Sequence, residues 1–398
     1  MGEKIKLARI ARVSTIPLFV LTQLRTQLEA IGSTGADVTI ITSPDELLNT
    51  IDIKPCKFKP IRITREISLF SDFISLIKLI RIFRSQKFDI VHSNTPKAGL
   101  LCAIAAKISS VPIRLHTFTG QTWVTMSGFK KLIVKTCDKL IGMLNTHCYA
   151  DSPSQCSFLI QNKVINSRKI SVLGIGSLAG VNIARFNPNN YTEADRKQIR
   201  NSVKVNQNDL VLLFVGRITK DKGIFELIKA FGEIIKNRNE ISLLVIGPFE
   251  QDIEQEIRAL ALQCAGDKII FPGFCSEPEN FIAIADILCL PSYREGFGTV
   301  VIEAAAMGVP TVGTNIYGLT DAIVDGETGL LVEPRNVEQL TAALEKLVSD
   351  DKLRKKMGQN AQKRAVNEFD SNKFGTLVVD EYEKLLNNAH PQRVKNSQ

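Results

Sequence analysis

The sequence predicts an α/β protein with two parallel β-sheets in tandem, each covered by helices on both faces. Three observations carry this. Short β-branched runs alternate with amphipathic helical runs in both halves. The chain of 398 residues is long enough for two cores. Between the halves, Gly180–Asn190 carries neither period, and Pro188 among several Asn residues marks a linker.

In the first half, strands fit Lys4–Ile10, Asp37–Thr42, Asp89–His92, Ile113–Thr117 and Lys169–Leu173. Helices fit 18–31, 70–86, 96–109, 128–145 and 153–161. In the second half, strands fit Leu210–Val215, Ser242–Ile246, Lys268–Phe271, Asp286–Leu290, Thr311–Val312 and Gly329–Val332. Helices fit 223–236, 250–264, 299–307 and 336–348, with two more toward the C-terminus. No repeat of 20–50 residues is present, which excludes a solenoid. Two open parallel sheets are expected to leave a cleft at the C-terminal ends of their strands.

At 44% hydrophobic and 23% charged, the chain is neither disordered nor collagen-like. Its eight Cys are scattered, without a C-x-x-C pair or a His at metal-ligand spacing, and read as free thiols in a reducing compartment. Residues 1–189 hold 25 Lys and Arg against 11 Asp and Glu, whereas residues 190–398 hold 25 against 30. Such asymmetry points to an anionic partner for the first half: membrane lipid, a phosphorylated substrate or nucleic acid. No apolar run approaches the ~20 residues that cross a bilayer. Lys4, Lys6, Arg9 and Arg12 before Ile16–Leu21 resemble a weak signal peptide. The apolar stretch is short, holds Pro17 and lacks a cleavage site, so a strand leading into a helix explains it better and the protein reads as cytosolic.

Three glycine motifs could carry chemistry. Gly174-Ile-Gly176-Ser-Leu-Ala179 matches a dinucleotide fingerprint, but it runs into the linker where a helix would have to open, so no nicotinamide or flavin site is assigned. Gly216-Arg217-Ile218-Thr219-Lys220-Asp221-Lys222-Gly223 sits at a strand end before a helix. Arg217 and Lys222 there offer a fork donor and a point charge, suited to a diphosphate. In Ser292–Glu303, Glu295 lies in a loop and Glu303 two turns into the next helix, with Gly296 and Gly298 permitting close backbone approach. Glu303 stands among Val301, Ile302, Ala304, Ala305 and Ala306, where a carboxylate is costly unless it is paired or binds something.

Together these motifs resemble the retaining, nucleotide-sugar-dependent glycosyltransferases of family 4. Glu295…Glu303 with Glu-Gly-Phe-Gly between is similar to the paired-glutamate motif of that family. Gly216-Arg217 with Lys222-Gly223 resembles its diphosphate loop, and Gly180-Val181-Asn182…Arg185-Phe186-Asn187-Pro188 its hinge. Gly308-Val309-Pro310, Asp325–Gly329 and Val332-Glu333-Pro334 continue the match in order. Val91–Gly99 and Arg114–Gly120 resemble a bacterial branch that builds capsule and O-antigen repeat units. Two positions depart from the pattern. Val13–Pro17 replaces a glycine-rich first loop, and Thr119 stands where many relatives have His, leaving His116 as the nearest imidazole.

The resemblance implies a GT-B fold of two facing Rossmann-like domains with a deep interdomain cleft. It divides the chain into an acceptor-binding domain 1–182, a nucleotide-sugar-binding domain 183–370, and a segment 371–398 holding a helix that crosses back to the first domain and then a tail. Catalysis is then expected from Glu295, Arg217, Lys222 and His116. Donor binding is expected from Gly216, Arg217, Lys222, Glu295, Gly296, Phe297, Gly298, Thr299 and Glu303, with Glu303 on the ribose hydroxyls and no metal or cofactor. His116 as a core histidine is an equal reading of the residues. Uridine diphosphate is preferred over guanosine diphosphate, and an N-acetylhexosamine is the first choice of sugar.

The expected acceptor is a polyprenyl-diphosphate-linked sugar at the cytoplasmic face of the inner membrane. The anionic membrane surface would be met by Lys78, Arg81 and Arg84 on Phe73–Lys87 and by Lys131, Lys135 and Lys139 on Phe129–Leu144. Solvated lysines above helices packed on the sheet are the plainer alternative. An epimerase or hydrolase of the same fold is the competing enzyme class. Nucleic acid is not an expected partner, since no RNP-type or helix-turn-helix signature is present.

Overall fold

Both sheets are assembled from apolar runs that a doubly covered parallel sheet requires. The computed structural model describes residues 3–45, 53–64, 68–250 and 253–389. The chain forms two compact units, 1–180 with 371–398 and 181–370. Unit 1 carries strands β1 (Arg9–Val13), β2 (Asp37–Thr42), β3 (Lys57–Pro60), β4 (Ile90–Asn94), β5 (Ile113–Phe118), β6 (His147–Ala150) and β7 (Ile170–Val172) in the order β3-β2-β1-β4-β5-β6-β7. Unit 2 carries β8 (Leu210–Val215), β9 (Ile241–Ile246), β10 (Ile269–Gly273), β11 (Ile287–Leu290), β12 (Thr311–Thr314) and β13 (Gly329–Val332) in the order β10-β9-β8-β11-β12-β13. Neighbouring strands pair in parallel throughout both sheets. In each unit this is the doubly wound arrangement, whose loops of chemical interest follow the C-terminal ends of the central strands.

One face of the unit 1 sheet packs Ile10, Val38 and Ile90 against Leu28 and Ile31 of helix Arg25–Ser33, together with Val378, Val379, Tyr382 and Leu386 of helix Ser371–Ala389. The last helix therefore completes the first unit. The other face packs Ala11, Val13 and Val91 against Leu79 and Phe83 of helix Leu69–Gln86 and Cys102 and Ala105 of helix Pro96–Ile108. All eight cysteines are unpaired. No helix among the described residues is long and apolar enough to cross a membrane.

Several sequence expectations need correction. The first strand begins at Arg9, because Glu3–Lys6 takes a helical turn instead of the extended Lys4–Ile10. Two strands escaped notice. Lys57–Pro60 is a charged edge strand ending in Pro, and His147–Ala150 is a four-residue strand without a β-branched residue. The helix expected over 18–31 is split into Pro17–Phe19, a π-turn Val20–Leu24 and Arg25–Ser33. Short helices Glu193–Ser202, Pro278–Ile282 and Leu319–Ala322 were also missed, the first opened by a Thr192/Asp195 capping box. Of the helix expected over 250–264, the residues 251–252 lie outside the described residues, as does the expected tail 390–398.

Candidate active site

Three loops meet at the C-terminal edge of the unit 2 sheet. The loop after β8 makes a 3₁₀ turn, Lys220–Lys222, and enters helix Ile224–Ile235 through Gly223. At φ +70° and with a would-be Cβ only 2.1 Å from the Pro291 carbonyl oxygen, that position accepts no other residue. The close approach brings the β8 loop onto the loop after β11. The Tyr293 N–H donates to the Asp221 carbonyl at 2.8 Å, and Arg294 Nη2 lies 2.7 Å from Asp221 Oδ2. The Thr314 hydroxyl, at the end of β12, donates to the Ser292 carbonyl and ties in the third loop.

Within this frame Lys222 Nζ lies 2.5 Å from Glu295 Oε1, and the Ser292 hydroxyl donates to the same oxygen at 2.9 Å. Both charged side chains are less than one-fifth exposed. Asp221 is a second partly buried anion: burial works against its charge, but Arg294 and the Thr219 hydroxyl hold its carboxyl below the usual range. Gly298, at φ +82°, opens helix Thr299–Ala306. Beside it the Phe297 ring is buried edge-on against Phe369, 5.3 Å away, which anchors the turn by its side chain. The backbone of Gly296–Thr299 thus leads into a helix N-terminus, where N–H groups and the helix dipole favour an anion.

Glu303 lies on the second turn of that helix, partly buried, and makes no ion pair among the described residues. Burial raises its carboxyl to about 7. The Arg185 guanidinium opposes that rise and Glu279 adds to it. Arg185 forks onto Glu279 with two contacts of 2.7 Å and donates to the Ser276 carbonyl at 2.9 Å. Sequence reasoning placed Arg185 in a hinge motif and overlooked Glu279 entirely. It also missed the Asp221–Arg294 pair, for which the only signal was a cation next to Glu295.

Not every expected residue joins this cluster. Gly216 leads out of β8 as expected, but Arg217 is exposed and pairs with Glu250 at 3.2 Å instead of with the Lys222–Glu295 contact. His116 is not on this unit. It belongs to unit 1, where it is buried with Nδ1 3.0 Å from the Ser93 hydroxyl, and its ring fills the space over Gly99, where a Cβ would come within 2.4 Å. Burial lowers its pKa to about 3, so it is a neutral core histidine. On helix Gly128–Leu144, Lys131 and Lys139 are exposed, but Lys135 is half-buried, 4.8 Å from the Trp123 ring centre and donating to Asn162. Lys78, Arg81 and Arg84 are exposed on helix Leu69–Gln86. A cavity of 640 Å³ in unit 2 lies at the opposite sheet edge, by Asp209 and Asp286. Its arginines Arg200, Arg238 and Arg354 are already held by neighbouring carbonyls, a hydroxyl and acids.

Two doubly wound parallel-sheet units are the GT-B fold, here with cationic and glutamate-bearing loops at the strand ends of the second. Comparisons narrow this. Residues 195–364 match the family model of glycosyl transferases group 1, and residues 10–139 that of glycosyl transferase 4-like proteins. The capsular polysaccharide biosynthesis glycosyltransferase CapM of Staphylococcus aureus is 35% identical over 384 residues, spanning 96% of this chain and 97% of the relative. The UDP-Gal:alpha-D-GlcNAc-diphosphoundecaprenol alpha-1,3-galactosyltransferase of Escherichia coli is 26% identical over 96% of this chain and 98% of its own length. Among solved structures, Anabaena Alr3699/HepE in complex with UDP-glucose superposes with a TM-score of 0.79 at 17% identity, covering 95% of this chain and all of that one. The chain belongs to the family 4, group 1 glycosyltransferases.

Proposed function

We propose that the protein is a retaining, metal-independent hexosyltransferase of bacterial capsule or O-antigen assembly. It moves a sugar, with an N-acetylhexosamine as first choice, from a UDP-sugar to a polyprenyl-diphosphate-linked sugar. The observation that carries this is the Lys222–Glu295 contact at the mouth of the Gly296–Thr299 turn: a partly buried cation, a carboxylate and a helix N-terminus on one sheet edge. A nucleotide diphosphate complements that set, and the names of the two relatives supply the polysaccharide and lipid-diphosphate context.

In this reading Lys222 neutralises the leaving diphosphate, and the backbone of Phe297, Gly298 and Thr299 cradles it. Arg217 turns inward from its exposed partner Glu250, since a surface pair contributes at most about 1 kcal/mol. Glu295 holds sugar hydroxyls and Glu303 the ribose. Glycosyl transfer builds cationic character on the sugar and negative charge on the departing oxygen. Fixed donors aimed at that oxygen stabilise the charge without reorganising. The acceptor hydroxyl attacks from the face the diphosphate leaves, and its proton passes to the leaving phosphate oxygen.

The test is incubation of the protein with UDP-galactose, UDP-glucose and UDP-N-acetylglucosamine, with and without a short-chain N-acetylglucosaminyl diphospholipid. Glycolipid bearing an α-linked new sugar is expected by mass and anomeric NMR. Equal turnover of donor without acceptor would instead establish the epimerase or hydrolase reading.

We also assign unit 1 to the cytoplasmic face of an anionic membrane. Helices Leu69–Gln86, Pro96–Ile108 and Gly128–Leu144 lie side by side, and each starts at the C-terminal edge of the sheet. The first turns of the outer two expose Leu69 (82%), Phe70 (78%), Phe129 (75%) and Leu132 (60%), near exposed Lys130 and Lys131. Apolar tips beside cations suit an interface of hydrocarbon and acidic headgroups. The protein is expected to float with phosphatidylglycerol-containing vesicles at low salt and to be released at high salt. Phe70→Ser with Leu132→Ser should abolish flotation, and unchanged flotation of that variant would remove this surface from the assignment.

A further inference from the structure

Arg12 is 1% exposed near the centre of the unit 1 sheet, and no carboxylate among the described residues pairs with it. Its Nη1 donates to Gln27 Oε1 and to Tyr382 Oη, both at 3.1 Å. Its Nη2 donates to Gln27 Oε1 at 3.1 Å and to Asn94 Oδ1 at 3.3 Å. Every one of these acceptors is neutral. His92, alongside, contacts Tyr382 Oη and Thr117 Oγ1 through its two ring nitrogens, and burial together with Arg12 keeps it uncharged. A buried charge held only by neutral dipoles is the arrangement that folded proteins otherwise avoid by pairing.

Unmet hydrogen-bonding capacity falls on three neighbouring residues of this sheet face. Arg12 pairs with His92 across β1 and β4, so Ser14 and Asn94 are the next residues on that same face, at the C-terminal strand ends. Arg12 Nε, Ser14 Oγ and Asn94 Nδ2 are all buried and all lack a partner. The two nitrogens can only donate, and the hydroxyl can donate as well. Thr15 and Thr95, the next residues of the two strand-end loops, join through their hydroxyls at 2.6 Å, and Thr95 opens helix Pro96–Ile108. Buried donors beside an uncompensated cation are complementary to an anion with several acceptor oxygens.

We propose that the ends of β1 and β4 form a phosphoryl-binding subsite on unit 1, in which Arg12, Ser14 and Asn94 take an oxygen-rich group of the acceptor's lipid diphosphate. The subsite rests on the lipid-diphosphate reading of the acceptor and gives it a location. It also accounts for a strand-end loop, Val13–Pro17, that carries Ser and Thr in place of glycines.

The experiment compares geranyl diphosphate with UDP as probes of the full chain, by calorimetry and thermal shift. Wild type should bind both. Ser14→Asp supplies the missing counter-charge beside Arg12. It should raise the melting temperature of the ligand-free protein, weaken geranyl diphosphate at least about tenfold and leave UDP affinity unchanged. Ser14→Ala, which keeps the fold if the aspartate does not, should weaken geranyl diphosphate by about three- to tenfold. Undiminished geranyl diphosphate binding in the variant that folds overturns the subsite, as does a crystal soaked with it that holds only water at Arg12 Nε. Loss of UDP binding in wild type would instead fall on the donor reading.

Discussion

Replacing Lys222 by Ala is expected to lower sugar transfer by about 10²–10³-fold, the scale of losing one preorganised charge donor at a developing anion. Its ammonium lies 2.5 Å from Glu295 in a turn less than one-fifth exposed, so its removal also leaves the Glu295 carboxylate with only the Ser292 hydroxyl. Such a partly buried anion, stripped of its cation, would repel the donor diphosphate, and the loss should therefore appear in kcat as well as in KM. Lys222→Arg should recover little. A planar fork does not fit where a compact ammonium meets one carboxylate oxygen, with Gly223 already pressed on Pro291. Initial rates across donor concentrations decide this: near-normal turnover in Lys222→Ala would take that lysine out of catalysis.

The second large effect concerns Glu303, whose carboxyl burial raises to about 7. A ribose hydroxyl donates more strongly to the ionised form, so donor binding below pH 7 must expel a proton. UDP affinity is expected to fall by up to about tenfold per pH unit below 7 and to level off above it. Stability runs the other way. The folded state disfavours the charge, so the ligand-free protein should gain stability from this group as pH falls through 7 toward the unfolded value near 4.5. Glu303→Gln should flatten both profiles and weaken UDP by about 10–100-fold, the range of a hydrogen bond to a charged group. Because Arg185 lowers the carboxyl, Arg185→Ala should move the midpoint upward. Calorimetric titration of UDP between pH 5.5 and 8.5 reads all three, and a flat wild-type profile would detach Glu303 from the ribose.

The loops of the candidate site were legible because local chemistry writes them. Gly223 and Gly298 are required by positive φ and close approach, and each stands just before a helix that its own periodicity marks. What the loops do to one another was not legible. Lys222 and Glu295 are 73 residues apart, and nothing local says that the cation will be spent on that carboxylate while Arg217 turns out to Glu250. For His116 the residues left a catalytic and a core reading open, and only the fold shows Gly99 packed beneath its ring. Lys131, Lys135 and Lys139 follow one another at four-residue spacing on one helix, yet the middle one sits over the Trp123 ring.

By itself the sequence determined most of the strands and the longer helices, the glycines of the strand-end loops and the basic character of the first half. All of these depend on backbone periodicity, chirality and composition, which act over a few residues or over sums. The tertiary structure alone decided which charges meet and which are buried, as with Arg12 lacking an acid, and how Glu303 and His116 titrate, the first near neutrality and the second uncharged. The reason is that electrostatic energy depends on distance and on exclusion of water, and both are set by residues far apart along the chain.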